Sequence, residues 1–242
     1  MPVTAVRQLE GRVALVTGGT GALGRSVVRR FAETGAQVHV TWRSEAETGE
    51  LRSYLGAGAN GVVLHRADVT QPAEVASLFE ALRADPGRLD ILACVAGGFT
   101  AAPVEDTTPQ AWDQMIAVNA TSAFLCCRAA VPLLRASGRG RIVNVAARPV
   151  LERGAANMSA YAASKSAVLS LTHSLAKELA RDRITVNAIV PSIIDTPANR
   201  AAMPRADQST WLKPEEIAGV VAFLASDAAG IVTGSALNLS RG

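Results

Sequence analysis

Hydrophobic residues along this chain fall in short unbroken blocks instead of alternating with polar ones. Arg12–Thr17, Gln37–Thr41, Gly61–His65, Leu89–Val95, Arg141–Val145, Ile184–Val190 and Ala236–Leu239 therefore read as strands buried on both faces. The stretches between them carry helical spacing: Ala22–Thr34, Ala46–Leu55, Ala73–Ala84, Pro109–Val118, Thr121–Ala136, Ser159–Arg181 and Pro214–Ser226. Gly35, just after the first of these, is a good helix stop. Strands alternating with helices predict a doubly wound Rossmann-type α/β domain, a parallel sheet of about seven strands covered by helices on both faces. No repeat or low-complexity linker interrupts the pattern, and 242 residues suit one domain over 1–242.

Composition narrows the function classes. Hydrophobic residues at 49% and charged residues at 19% exclude a disordered chain. Ile91–Val104 and Gln114–Cys127 are the longest uncharged stretches, 14 residues each, against about 20 for a spanning helix. No membrane segment is expected, and the first ten residues lack the apolar core of a secretory signal. Three cysteines, two of them adjacent at Cys126 and Cys127, make a poor disulfide framework. They read as small buried hydrophobes in a reducing cytoplasm. A net charge of +3 with no basic run gives no case for nucleic acid.

Thr17-Gly-Gly-Thr-Gly-Ala-Leu-Gly24 lies between the first strand and the first helix. A helix start offers unpaired N–H groups and a positive dipole end, and glycines let a pyrophosphate approach the backbone. Gly18, Thr20, Gly21 and Leu23 are the contact candidates; a tight strand–helix turn is the plain alternative. An acidic side chain at the end of the second strand would bind a ribose 2′-hydroxyl, whereas an Arg accommodates a 2′-phosphate. That strand ends Thr41-Trp-Arg-Ser44, with no carboxylate before Glu45. Arg43 and Ser44 could clamp the phosphate, which favours NADP(H) over NAD(H); a solvated loop arginine is the alternative.

Tyr161 and Lys165 lie four residues apart, on one face of the long helix. A cation close to a phenol favours phenolate and lowers its pKa toward working pH, as an acid–base catalyst requires. Such pairs are common and often structural, yet this one uses one of two tyrosines in the chain. The helix also starts at the carboxyl edge, where such sheets bind ligands.

With these pieces the chain resembles the short-chain dehydrogenase/reductases over nearly its whole length. Supporting motifs are the Thr17–Gly24 turn, Asp68-Val69, Ala96-Gly97, Asn119 in Val-Asn-Ala, Tyr161 with Lys165, and Pro191-Ser-Ile-Ile-Asp-Thr196. The resemblance implies that Tyr161 moves the proton while Lys165 binds the nicotinamide ribose and tunes Tyr161. It implies a water held by Asn119, adenine against Asp68 and Val69, backbone around the cofactor at Ala96, Gly97, Gly98 and Pro191, and the nicotinamide amide at Ile194 and Thr196. It also implies a homodimer or homotetramer through the long helix, where Ala163, Ala167, Ser170 and Ser174 form a stripe of small residues.

Four departures refine the expectation. Ala22 takes the middle Gly position of the usual turn, Cys94-Val-Ala-Gly-Gly98 replaces Asn-Asn-Ala-Gly, and Ser192 replaces a Gly. Ala146-Ala147 stand where the family has Ser-Ser, so the serine that would anchor a substrate carbonyl is Ala147. Losing one such donor costs about 10²–10³ in rate, unless Ser159, Asn157 or Arg148 substitutes. The turn, Cys94–Gly98, the Ala-rich end of strand five and Asp195–Pro204 resemble dihydropteridine reductases, which lack that serine too. Asn119, Arg43 and the tail from Glu215 do not follow them. Three activities are thus expected in competition. The first is NADPH-dependent reduction of a small conjugated C=N or C=O acceptor. The second is reduction of a 3-oxoacyl thioester or ketone, with Arg148, Arg153, Arg200 and Arg205 as an acyl-carrier patch. The third is a catalytically weak NADP-binding sensor.

Overall fold

The computed structural model describes residues 7–241 apart from 60 and 153. The extreme amino terminus read against a leader, and Arg153 of the basic patch, fall outside that set.

Seven strands, β1 (Val13–Thr17), β2 (Gln37–Trp42), β3 (Val62–Arg66), β4 (Ile91–Cys94), β5 (Arg141–Val145), β6 (Thr185–Pro191) and β7 (Ala236–Leu239), form one sheet in the order β3-β2-β1-β4-β5-β6-β7. Every pairing is parallel. Both faces are buried, which is why the strands read as unbroken apolar blocks. On one face Leu15, Leu92, Ile142 and Val186 pack against α3 (Pro72–Ala84), α5 (Ser122–Ser137) and α6 (Ser159–Glu178). On the other, Val16, Ile91, Val143 and Ile189 pack against α1 (Ala22–Glu33), α2 (Glu45–Leu55) and α8 (Pro214–Ala225).

Element boundaries match the hydrophobic pattern to within three residues, with two differences of substance. The two helices expected between β4 and β5 are one continuous stretch. α4 (Pro109–Met115) passes through a π-helical segment, Ile116–Thr121, directly into α5. Pro109–Ser137 is consequently the one helical stretch, among the described residues, long and apolar enough to cross a membrane; here its buried residues pack against the sheet and α3. The second difference is a short helix, α7 (Pro197–Ala202), capped by Thr196, whose hydroxyl accepts the Asn199 N–H at 3.1 Å. Six residues are too few to show a periodicity.

Cys94, Cys126 and Cys127 are free and buried, as expected. A hydrogen bond with Cys127 and burial push the Cys94 thiol up, and burial does the same to Cys126.

Polar ties hold the layers in register. α2 is latched to α1 and α8 by Tyr54, which donates to Glu215 Oε1 at 2.9 Å and lies 3.0 Å from Ser26 Oγ. Arg25 and Arg29 stand over the same ring, 5.0 and 5.6 Å from its centre. Before the central strand β4, Asp90 is fully buried, accepting the Val13 N–H at 2.9 Å and bonds from Arg88 (2.8 Å) and Arg139 (3.2 Å). Asp90→Ala should destabilise the domain by about 2–3 kcal/mol, because the Val13 N–H is left buried without a partner and two guanidinium contacts are lost. Urea denaturation measures this.

Candidate active site

The strand order reverses between β1 and β4, and crevices in open α/β sheets form at that point, outside the carboxyl ends of the strands. A cavity of about 520 Å³ opens there. The turn after β1 supplies Gly18, Thr20, Gly21 and Leu23; the end of β2 supplies Arg43; the loop after β3 supplies Asp68 and Val69; the loop after β4 supplies Ala96 and Gly97. Thr196 closes it from the far side.

The turn has little space for side chains. A Cβ on Gly18, whose φ is +63°, would stand 2.6 Å from Ala96 Cα, and one on Gly24 would stand 2.0 Å from the Gly18 carbonyl oxygen. Gly18 N–H donates to Thr41 Oγ1 at 3.1 Å, and Ala96 N–H to Thr17 Oγ1 at 3.2 Å, tying the turn to β2 and β4. No side chain caps α1, so its first-turn N–H groups remain available to an anion. Ala22, in place of the usual glycine, is the first residue of that helix and lines the cavity.

Beyond the cavity the catalytic candidates converge. Lys165 is buried on α6, and its Nζ donates to the Val145 carbonyl at the end of β5 at 2.8 Å. Asn119 is buried in the π-helical segment, a type of local insertion that often accompanies function. Its Oδ1 accepts the Gly98 N–H at 3.1 Å, while its Nδ2 donates to the Gly98 carbonyl and to Ser164 Oγ, each at 3.1 Å. Both amide hydrogens are therefore committed. The side chain clamps the loop after β4, and the water-holding role implied by resemblance does not fall to its amide hydrogens. A Cβ on Gly97 would come within 2.8 Å of Asn119 Oδ1 and 3.3 Å of Lys165 Nζ, so this glycine lets the loop pass between the two.

Tyr161, one turn before Lys165, is half-buried, and its ring meets Phe99 edge-on at 4.9 Å. Burial pushes its phenol up to about 12 and pushes Lys165 down to about 8. This corrects the expectation of a depressed tyrosine: burial raises it, and the Lys165 ammonium is directed at the Val145 carbonyl. At neutral pH Tyr161 is a phenol with a proton to give, and Lys165 is still mostly charged.

Other candidates sit differently from what the motifs implied. Asp68 lines the cavity, but its Oδ1 accepts from Thr70 N and Oγ1 at 3.0 and 2.8 Å. Ser44 immediately precedes α2, exposed and outside the cavity lining. Pro191 ends β6, buried, and Ile194 pairs with Leu212 in an isolated bridge, so neither forms part of the lining. Ala147 is buried immediately after β5 with only a methyl group to offer. Of its possible substitutes, Asn157 and Ser159 line a separate cavity of about 190 Å³, and Arg148 pairs with Glu152 at 2.5 Å. Sequence reasoning missed Glu47 and Glu50, which α2 brings to the cavity wall. A carboxylate was sought only at the strand end.

Sheet, crevice and buried Tyr–Lys helix define an NAD(P)-dependent oxidoreductase. The chain belongs to the short-chain dehydrogenase/reductase family. Residues 19–242 match the family described as enoyl-(acyl carrier protein) reductase. The 3-oxoacyl-[acyl-carrier-protein] reductase FabG of Escherichia coli is 34% identical, with 96% of this chain and 97% of the relative covered. The cis-4-hydroxycyclohexanecarboxylate dehydrogenase of Sinomonas cyclohexanicum is 36% identical, with 96% of each covered. A mutant short-chain dehydrogenase/reductase from Serratia marcescens superposes with a TM-score of 0.87 at 31% identity, over 96% of this chain and 97% of that one.

The rate of reduction should hold from about pH 6 to 7.5 and fall above about 8 as Lys165 loses its proton. A pH profile at saturating cofactor checks this. A rate that stays level to pH 10 would mean the ammonium is not required.

Proposed function

We propose that the enzyme is an NADPH-dependent cytoplasmic reductase of a small, flat, conjugated C=N or C=O acceptor. The observation that carries this reading is Ala147. The site keeps a proton donor in Tyr161 and lacks the hydroxyl that would steady a ketone oxygen, so it suits an acceptor whose own conjugation spreads the developing charge. Phe99, 59% exposed beside Tyr161, offers an aromatic surface for such a molecule.

The cofactor supplies the hydride when bound. The Gly18–Gly24 turn and the start of α1 would hold its pyrophosphate, and Arg43 at the cavity rim would meet a 2′-phosphate. The cramped glycines support the fit, since a side chain at Gly18 or Gly24 would displace the backbone that lines the crevice. Tyr161 gives its phenolic proton to the oxygen or nitrogen of the acceptor, which takes up the electron pair as the hydride adds. Lys165, held at the end of β5, stabilises the phenolate left behind. Asn119 keeps the loop after β4 against both.

A second reading, reduction of a 3-oxoacyl thioester, is supported by the likeness to the E. coli FabG protein. Its proposed acyl-carrier patch is weakened by two ion pairs, Arg148 with Glu152 and Arg200 with Asp195. NADPH oxidation against a quinonoid dihydropterin, an acetoacetyl thioester and simple ketones separates the readings. The dihydropterin should turn over fastest, and Tyr161→Phe should reduce that rate by at least about 10² with NADPH binding nearly unchanged. A faster thioester would replace the first reading with the second. Binding without any turnover would leave a sensor.

The same reading includes a homo-oligomer of at least two chains, with neither nucleic acid nor membrane as partner. Ala167, Ser170 and Ser174 are exposed on α6, and Phe124 is exposed on neighbouring α5. These residues do not pack against their own sheet, and their small size would let a second copy's helix approach closely. Light scattering should report a multiple of 25.1 kDa, with Ala167→Arg shifting it toward one chain. A wild-type monomer at micromolar concentration would end this claim.

A further inference from the structure

The end of β2 carries Arg43 and no carboxylate, yet the fold returns one to the same place. Glu47, in the first turn of α2, lines the cavity, and its Oε2 accepts the Thr20 hydroxyl of the glycine-rich turn at 2.7 Å. Glu50, nearly one turn further on, lines the cavity as well. α2 is held in position by Tyr54, which is bonded to Glu215 and Ser26. The cations of the same wall are Arg43 and Arg25, and Arg25 is engaged over the Tyr54 ring. Arg43 makes no ion pair among the described residues.

We infer that Glu47 is a specificity-determining residue, set against Arg43, that weakens binding of a 2′-phosphorylated adenosine ribose and favours the plain ribose. The inference rests on the proposal that this cavity holds a nicotinamide dinucleotide. A carboxylate accepts hydroxyl hydrogen bonds, as it does here from Thr20, and a ribose 2′-hydroxyl is the same kind of donor. A 2′-phosphate brings close to two negative charges into a wall that already carries two carboxylates, and it has no hydrogen to donate to Glu47 when fully ionised. The bond to Glu47 also occupies the Thr20 hydroxyl hydrogen, which would otherwise be free to bond phosphate oxygen. Arg43 acts in the opposite sense, so the balance between the two cofactors depends on both residues.

The test is equilibrium binding by calorimetry of NADP⁺, NAD⁺, adenosine 2′,5′-bisphosphate and 5′-AMP to the intact protein. Wild type is compared with Glu47→Gln, Thr20→Val and Arg43→Ala, and thermal melting establishes that each variant is folded. Glu47→Gln should tighten NADP⁺ and the bisphosphate by about tenfold, leave NAD⁺ and 5′-AMP equal or weaker, and show a smaller gain in high salt. Arg43→Ala should move the ratio the other way. Thr20→Val keeps the carboxylate and should not reproduce the gain. A ratio of NADP⁺ to NAD⁺ affinity within twofold of wild type in Glu47→Gln overturns the role of Glu47, as does an equal gain in Thr20→Val. If Glu47→Gln does not fold, Glu47→Ser is judged by the same criteria. Wild-type protein that binds none of the four overturns the dinucleotide reading and this inference with it. Binding with an unaltered ratio removes only the latter.

Discussion

The crevice depends on how little space separates the chain leaving β1 from the chain leaving β4. Gly18 lies against Ala96 and Gly24 against the Gly18 carbonyl so closely that neither position has room for a methyl group. Side-chain hydroxyls finish what the glycines allow, with Thr41 and Thr17 each taking a backbone N–H from these turns. Because the strands on either side of this seam run outward in opposite sequence order, the loops diverge and leave the cavity between them. The candidates on the loops after β1, β3 and β4 from Gly18 to Gly97 line that cavity. The chemistry stands one layer deeper, where β5, α6 and the π-helical segment meet.

Much of this was legible in the chain itself. Strands buried on both faces cannot alternate, so continuous apolar blocks such as Val13–Thr17 and Thr185–Pro191 announce a parallel sheet without further help. Tyr161 and Lys165 were found because helical spacing fixes their common face. What escaped the pattern has physical reasons. The passage from α4 to α5 preserves helical periodicity while inserting a residue, which a hydrophobic count does not register. Glu47 escaped because its importance comes from the angle of a helix. The Tyr161 pKa was misjudged in direction, since a sequence shows a neighbouring lysine but neither the desolvation nor where the ammonium points.

Ala147 shows how one missing oxygen alters a site that is otherwise whole. The tyrosine, the lysine, the clamp on Gly98 and the cradle for an anion are all in place; on the function proposed above, loss of the hydroxyl would act on the choice of acceptor and leave proton delivery intact. The phenol stays protonated at neutral pH, which sets the site for donating a proton to a reduced product.

Tyr54 has a role beyond its own packing. It fastens α2, which carries Glu47, to the start of α8. The segment before α8 is in turn pinned at Leu212, which donates to the Ile193 carbonyl and accepts the Asp195 N–H, next to Thr196. The two far walls of the cavity are thus parts of one frame, held apart at a set span like the jaws of a calliper. A displacement of α2 would therefore be felt at Thr196 as well, because both walls are fastened through the start of α8.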